Sequence, residues 1–246
     1  QLPTLAASGS GTRQQGSDDL SSTGQGTISS QYGADIGITG VEIRYNTGLH
    51  ISDNGVLLSE LLDRLVSAWP VPVTSISLVG HSMGGAVSLM VAKRHPERVR
   101  SLSLVCSAGL GSEINSGYID GFVAAGSRNA LKPVLADLFA DSGLVTRQLV
   151  DDLLKYKRLE GVGSALTTLS GKLFAGGQQA VVLADALPEI AKPVLLVWGE
   201  EDRIIPVAHA NALSGRYQVE VLPNRGHMVQ MEAANEVNRA IARFVG

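Results

Sequence analysis

One short segment restricts this chain more than any other. Ser75-Ile76-Ser77-Leu78-Val79 reads as a strand, and it passes without a break into Gly80-His81-Ser82-Met83-Gly84. Met83 to His95 then carries a helical pattern that Pro96 closes. A strand that turns at once into a helix leaves the serine between them on a tight, exposed corner. Glycines at 80 and 84 suit such a corner, because side chains there would collide with neighbouring elements. The bare Gly-X-Ser-X-Gly pattern is weak. The strand before it and the helix after it make it specific, and Ser82 becomes the candidate nucleophile.

The rest of the chain supplies a frame for that corner. Val41-Glu42-Ile43-Arg44-Tyr45 reads as a strand. Leu58, Leu61, Leu62, Leu65 and Trp69 follow at helical spacing, with Ser52-Asp53-Asn54 as N-cap candidates and Pro70 as the stop. Val99 to Val105 is a further strand. Val194-Leu195-Leu196-Val197-Trp198 is a continuous apolar run, as a strand covered on both faces requires. Val219-Glu220-Val221-Leu222 is the last strand, and the final helix carries Val237, Ile241 and Phe244 on one face. Strands alternating with helices predict an α/β fold with a mostly parallel sheet. Residues 113–188 break the rhythm with amphipathic helical stretches such as Val150 to Tyr156, and read as a helical cap. The core is then 32–112 together with 189–246. Residues 1–31 are rich in Gly, Ser, Thr and Gln, show no convincing strand, and read as irregular.

Composition narrows the classes. With 246 residues, 44% hydrophobic and 17% charged, the chain is globular rather than disordered. A net charge of −3 without a basic stripe argues against a nucleic-acid partner. No uninterrupted apolar run of about 18 residues exists, so no membrane span is expected. Gln1-Leu2-Pro3-Thr4 has neither a positive nor an apolar leader region. Cys106 is the only cysteine, and it lies in an apolar run. It reads as a buried, inert thiol that suits a reducing compartment, and a cytoplasmic location is the expectation. The five histidines lack the spacing of a helical metal site, so neither metal nor cofactor is expected.

A serine hydroxyl needs a base to take its proton and a carboxylate to orient that base. The order acid, then histidine, is met downstream. Asp202 lies in Trp198-Gly199-Glu200-Glu201-Asp202, past one apolar strand, and His227 lies in Arg225-Gly226-His227-Met228, past the last. Loops after parallel strands open on one edge, where ligands bind, so the three can converge. Glu200 and Glu201 compete for the acid's role, and turn or cap roles are the bland alternatives for Ser82, Asp202 and His227. His81 is given a supporting or pocket-wall place. His50, His95 and His209 are expected at the surface, and Asp18-Asp19 as a solvated pair. The backbone N–H of Met83 is the expected oxyanion donor. Phe122, Leu138, Phe139 and Phe174 are candidate pocket walls.

At these motifs the chain resembles α/β-hydrolases, and two groups of them. From Leu78-Val79-Gly80-His81-Ser82-Met83-Gly84-Gly85-Ala86 to the C-terminus it is similar to the hydrolase domain of acetoin dehydrogenase dihydrolipoamide acetyltransferase components. The shared words include Arg94-His95-Pro96-Glu97-Arg98-Val99 and Gly226-His227-Met228-Val229-Gln230-Met231-Glu232. From about residue 31 to 85 it is similar instead to bacterial esterases, through Arg44-Tyr45-Asn46-Thr47-Gly48-Leu49-His50. The common word Leu-Val-Gly-His-Ser-Met-Gly-Gly at 78–85 reads as the junction of a recombined gene. The resemblance implies an α/β-hydrolase fold, with earlier strands and a His-Gly loop that this chain lacks upstream of Gly80. Gly24-Gln25-Gly26-Thr27 lies roughly where that loop belongs. A sheet shortened at this end has an open edge that invites pairing with a second copy. The resemblance further implies an esterase acting on small or medium acyl esters through an acyl-enzyme. The alternatives are a scaffold without a complete oxyanion hole and a carbon–carbon bond hydrolase using the same triad.

Overall fold

The computed structural model describes residues 76–246 without a break, and before them residues 4–7, 41–44, 60, 62–64, 66, 67 and 73. Two short strands, β1 (Thr4–Ala7) and β2 (Val41–Arg44), pair antiparallel with Leu5 opposite Ile43. This corrects the expectation of no strand within residues 1–31. Thr4-Leu5-Ala6-Ala7 has too little alternation to signal a strand, and its partner is far away in sequence. Val41–Arg44 is extended, as predicted, but it pairs with β1 in a sheet of its own rather than in the parallel one.

Among the described residues the main sheet has four parallel strands in the order β3 (Ile76–His81), β4 (Val99–Val105), β5 (Val194–Gly199) and β6 (Gln218–Leu222). Leu78 pairs with Leu102, Leu104 with Leu196 and Val197 with Glu220. Every residue of β5 is buried, as a central strand covered on both faces demands. β3 runs two residues beyond the apolar run, to His81, because its ladder with β4 continues to Val105. Among the described residues β3 is paired on one side only, by β4.

Helix α1 (Met83–Arg94) buries Ala86, Val87, Leu89, Val91 and Ala92 against β3 and β4. Lys93 and Arg94 in its last turn oppose the negative end of the helix dipole, and Pro96 follows the cap. Between β4 and β5 come α2 (Ser116–Ala124), α3 (Arg128–Ala136), α4 (Arg147–Lys157), α5 (Val162–Leu173) and the short α6 (Leu187–Ile190). Asn115, Ser127 and Thr146 cap α2, α3 and α4 by accepting from Tyr118, Ala130 and Leu149 N–H. Each such cap stabilises its helix by about 0.5–2 kcal/mol. These helices enclose a small cluster of their own, formed by Ala125, Leu131, Leu135, Phe139, Val145, Val150 and Leu154. The larger cluster holds the sheet, α1, Leu169 and Leu173 of α5, Leu187 and Ile190 of α6, and the C-terminal elements. Those elements are α7 (Ala208–Asn211), α8 (Val229–Glu232) and α9 (Ala234–Val245). On α9 Val237 and Ile241 are buried at helical spacing and Phe244 packs at the margin. No described helix is long and apolar enough to cross a membrane.

Candidate active site

The parallel strands bring four loops to one edge of the sheet. Ser82 follows β3, Cys106 follows β4, Asp202 follows β5 and His227 follows β6. Ser82 stands directly before α1 with φ 52° and ψ −122°. Such a backbone costs about 1–3 kcal/mol for a residue other than glycine and persists only where its surroundings enforce it. Here Ser82 N–H donates to Val105 O at 3.0 Å, and Ser82 O accepts from Gly85 N at 3.0 Å and Ala108 N at 2.9 Å. Gly80 is required by packing, since a Cβ there would lie 2.5 Å from the Gly84 carbonyl oxygen. Gly85, which the sequence pattern does not single out, is equally constrained: a Cβ would strike the Ser107 side chain.

The acid and base are built more rigidly. His227 Nδ1 and Asp202 Oδ2 lie 2.8 Å apart, both side chains almost wholly enclosed. Asp202 Oδ1 accepts from Ile204 N at 2.8 Å and Ile205 N at 2.9 Å. Three donors therefore converge on one buried carboxylate and hold it in one orientation. Trp198 Nε1 donates to Ile205 O at 3.0 Å, and Glu201 N to Arg225 O at 2.8 Å, tying the acid's loop to β5 and to the histidine's loop. Glu200 and Glu201 are exposed, and neither is hydrogen-bonded to His227. His81 donates from Nε2 to the His227 carbonyl at 2.9 Å, with ring centroids 4.8 Å apart. Burial, and then the neighbouring His227, lower the His81 pKa to about 3, so its ring is neutral. No hydrogen bond joins Ser82 Oγ to His227 Nε2 among the described residues. The structure thus unites Asp202 with His227 and places Ser82 beside them through His81.

Several expectations need revision. Cys106 is buried as expected, but it has φ 43°, and its Sγ lies within 4.8 Å of the Asp202 and His227 donor atoms. Burial and the Asp202 carboxylate hold its thiol well above the ordinary range, so it is a neutral wall of the site. His209 is not a surface residue: it is 7% exposed and its Nε2 lies 2.8 Å from Glu113 Oε2. The half-exposed helix pattern around it hides this, because the burial comes from the distant loop carrying Gly111 and Glu113. Of the four proposed pocket walls only Phe174 lines the cavity at Ser82. Phe139, Leu138 and Phe122 belong to the helical cluster instead. That cavity, of about 60 Å³, is bounded by Ser82, Met83, Ala108, Ile114, Ile119, Leu173, Phe174, Gln179, Val181, Ile204 and Ile205. Met83 opens α1, so its N–H is one of the first-turn donors that helix geometry leaves without an intrahelical partner. Gly24–Thr27, His50 and Asp18–Asp19 lie outside the described residues.

Other residues of consequence carry no local sequence signal. Glu232 Oε2 accepts from Gly226 N at 2.6 Å, and its Oε1 from Ala140 N at 2.9 Å, joining the histidine's loop to the helical layer. Gln179 accepts from Gly109 N at 2.8 Å and donates to Glu113 O at 3.0 Å, closing the cavity wall. Only the word from Gly226 to Glu232, shared with a known family, points toward the first.

A family model described as the alpha/beta hydrolase fold matches residues 58–234, well over half of the chain. The chain belongs to the α/β-hydrolase family. Among curated proteins it is 53% identical over 173 residues to the dihydrolipoyllysine-residue acetyltransferase component of an acetoin cleaving system from Pseudomonas putida. That match covers 70% of this chain and 46% of the relative, so the chain spans about half the length of that relative. A 2-hydroxy-6-oxo-6-phenylhexa-2,4-dienoate hydrolase from Burkholderia cepacia is 31% identical over 183 residues, covering 68% of this chain and 62% of the relative. Among solved structures, a meta-cleavage product hydrolase from Pseudomonas fluorescens IP01 aligns with a TM-score of 0.74 at 18% identity. It covers 89% of this chain and 83% of the other, which attests the shared fold. The resemblance read from the motifs is thereby borne out for the hydrolase family and for the acetoin-system components.

Proposed function

We propose that this α/β-hydrolase is a serine esterase that cleaves small or medium acyl esters through an acyl-enzyme. Ser82 is the nucleophile, His227 the base and Asp202 the group that orients it. His227 Nε2 takes the proton of Ser82 Oγ as that oxygen attacks the ester carbonyl. The imidazolium then passes the proton to the departing alkoxide, and the alcohol leaves. Water, deprotonated by the same nitrogen, attacks the acyl-enzyme and restores the serine. Asp202 stabilises the imidazolium in both halves, through the Nδ1–H that it already accepts at 2.8 Å. The Met83 N–H faces the charge that develops on the carbonyl oxygen, a donor whose loss costs about 3–4 kcal/mol in comparable sites. The Ser82–His227 hydrogen bond forms with substrate in place, as is common in such sites.

The observation that carries this reading is a strained serine lining a cavity, next in sequence to His81, whose hydrogen bond reaches the His227 of a buried, fully bonded Asp–His pair. A carbon–carbon bond hydrolase is the second reading, favoured by the relative named for a dienoate. A dienoate is a carboxylate, and among the described residues no cationic side chain lines the cavity at Ser82, which favours uncharged esters. Hydrolysis of p-nitrophenyl acetate and butyrate tests the proposal. Measurable turnover that Ser82→Ala abolishes is expected; full activity in that variant refutes the nucleophile.

A further inference from the structure

We propose that His81 is a positioning residue for the base: its Nε2–H holds the His227 main chain, and its neutral ring backs the His227 imidazole. The inference rests on the esterase reading, in which His227 moves the proton.

Residue 227 is held from three directions. Gly226 N–H is bound by Glu232 Oε2 at 2.6 Å, Met228 N–H by Leu138 O at 3.0 Å and the His227 carbonyl by His81 Nε2 at 2.9 Å. The first two clamps come from α8 and from the helical layer. The third comes from the strand that carries Ser82, one residue before it. It therefore fixes the distance between nucleophile and base directly, across 146 positions of sequence.

The chemistry of the contact sets the tautomer. A carbonyl only accepts, so the proton of His81 sits on Nε2 and Nδ1 carries the lone pair. The groups that bear on this ring are His227 and Asp202. With a ring centroid 4.8 Å from His227, a charged His81 would oppose the imidazolium that forms there during the reaction. A neutral ring does not. Sequence adjacency to Ser82 suggests only a neighbour. The geometry shows a strut.

Three variants separate the donor from the ring. His81→Gln keeps an amide N–H topologically equivalent to Nε2, His81→Phe keeps the ring without the donor, and His81→Asn places its donor where Nδ1 was. With p-nitrophenyl acetate, kcat is expected to fall at least tenfold in the Phe and Asn variants, with KM within about twofold. His81→Gln is expected to recover most of kcat. Thermal melts verify that each variant is folded, and the Asn variant carries the comparison if the Phe variant is not. A fluorophosphonate probe is run in parallel, and its rate on Ser82 should follow kcat. Phe and Asn variants as fast as the Gln variant, or a loss confined to KM, overturn the proposal. An unlabelled wild-type Ser82 would instead overturn the esterase reading itself.

Discussion

The strand-edge loops and the helical layer between β4 and β5 are held together in different ways. Around Asp202 and His227, side chains and main chain are interlocked: the carboxylate has three donors, and Trp198, Glu201 and Glu232 fix the loops on either side. The helical layer has its own small apolar cluster, and it meets the sheet core through Leu169, Leu173, Leu187 and Ile190 and through polar contacts of Gln179 and Glu232. The difference assigns roles. Proton transfer tolerates little displacement and sits on the rigid part. The cavity wall at Leu173 and Phe174 comes from the layer, where a change alters which acyl group fits without moving the chemistry.

The sharpest way to break that division is on its rigid side. Asp202→Asn should lower kcat roughly 10³–10⁴-fold with KM little changed, because the tautomer of His227 is lost. A loss confined to KM in steady-state assays would move Asp202 out of the chemistry. Next in size is packing. Leu196→Ala in β5 and Phe139→Ala in the helical cluster should each cost about 2–5 kcal/mol in denaturant unfolding. If the two regions differ as described, activity should be lost before the main unfolding transition in the Phe139 variant, and together with it in the Leu196 variant.

A pH experiment comes third. The pKa of His81 is about 3 in the folded protein against 6.5 for a free histidine. From pH 6.5 down to about 3 the unfolded chain takes up a proton that the folded chain refuses, so this group's stabilising effect is full above pH 6.5 and is lost as pH falls through that window. The change over the window is at most about 5 kcal/mol. Urea titrations across that range should show a shallower dependence in His81→Phe than in wild type; identical slopes would place the ring in contact with water. The smallest effect is expected in the layer: Phe174→Ala should shift preference toward longer acyl chains by about four- to fifteenfold in kcat/KM, the size of one or two buried methylenes. An unchanged chain-length profile would remove Phe174 from the acyl wall.

The sheet was legible because each strand is a compact apolar run, and β3 to β6 lie where those runs lie. The triad candidates were legible because parallel strands send their loops to one edge, so order along the chain stands in for position in space. What was not legible depends on contacts between distant segments. His209 is buried by the loop around Gly111, and Glu232 turns inward to cap main-chain groups of two other loops. Phe139 and Phe122 look like pocket aromatics by composition alone, yet they fill the core of the helical layer. β1 failed to register because Thr4-Leu5-Ala6-Ala7 is too short to carry a period of its own.

The central claim is that Ser82 is the reactive group. Mass-spectrometric mapping after treatment with a fluorophosphonate probe tests it most directly. One label per chain is expected, on Ser82, lost in Ser82→Ala and strongly slowed in Asp202→Asn. A chain that stays unlabelled, or carries its label on another residue, would contradict it.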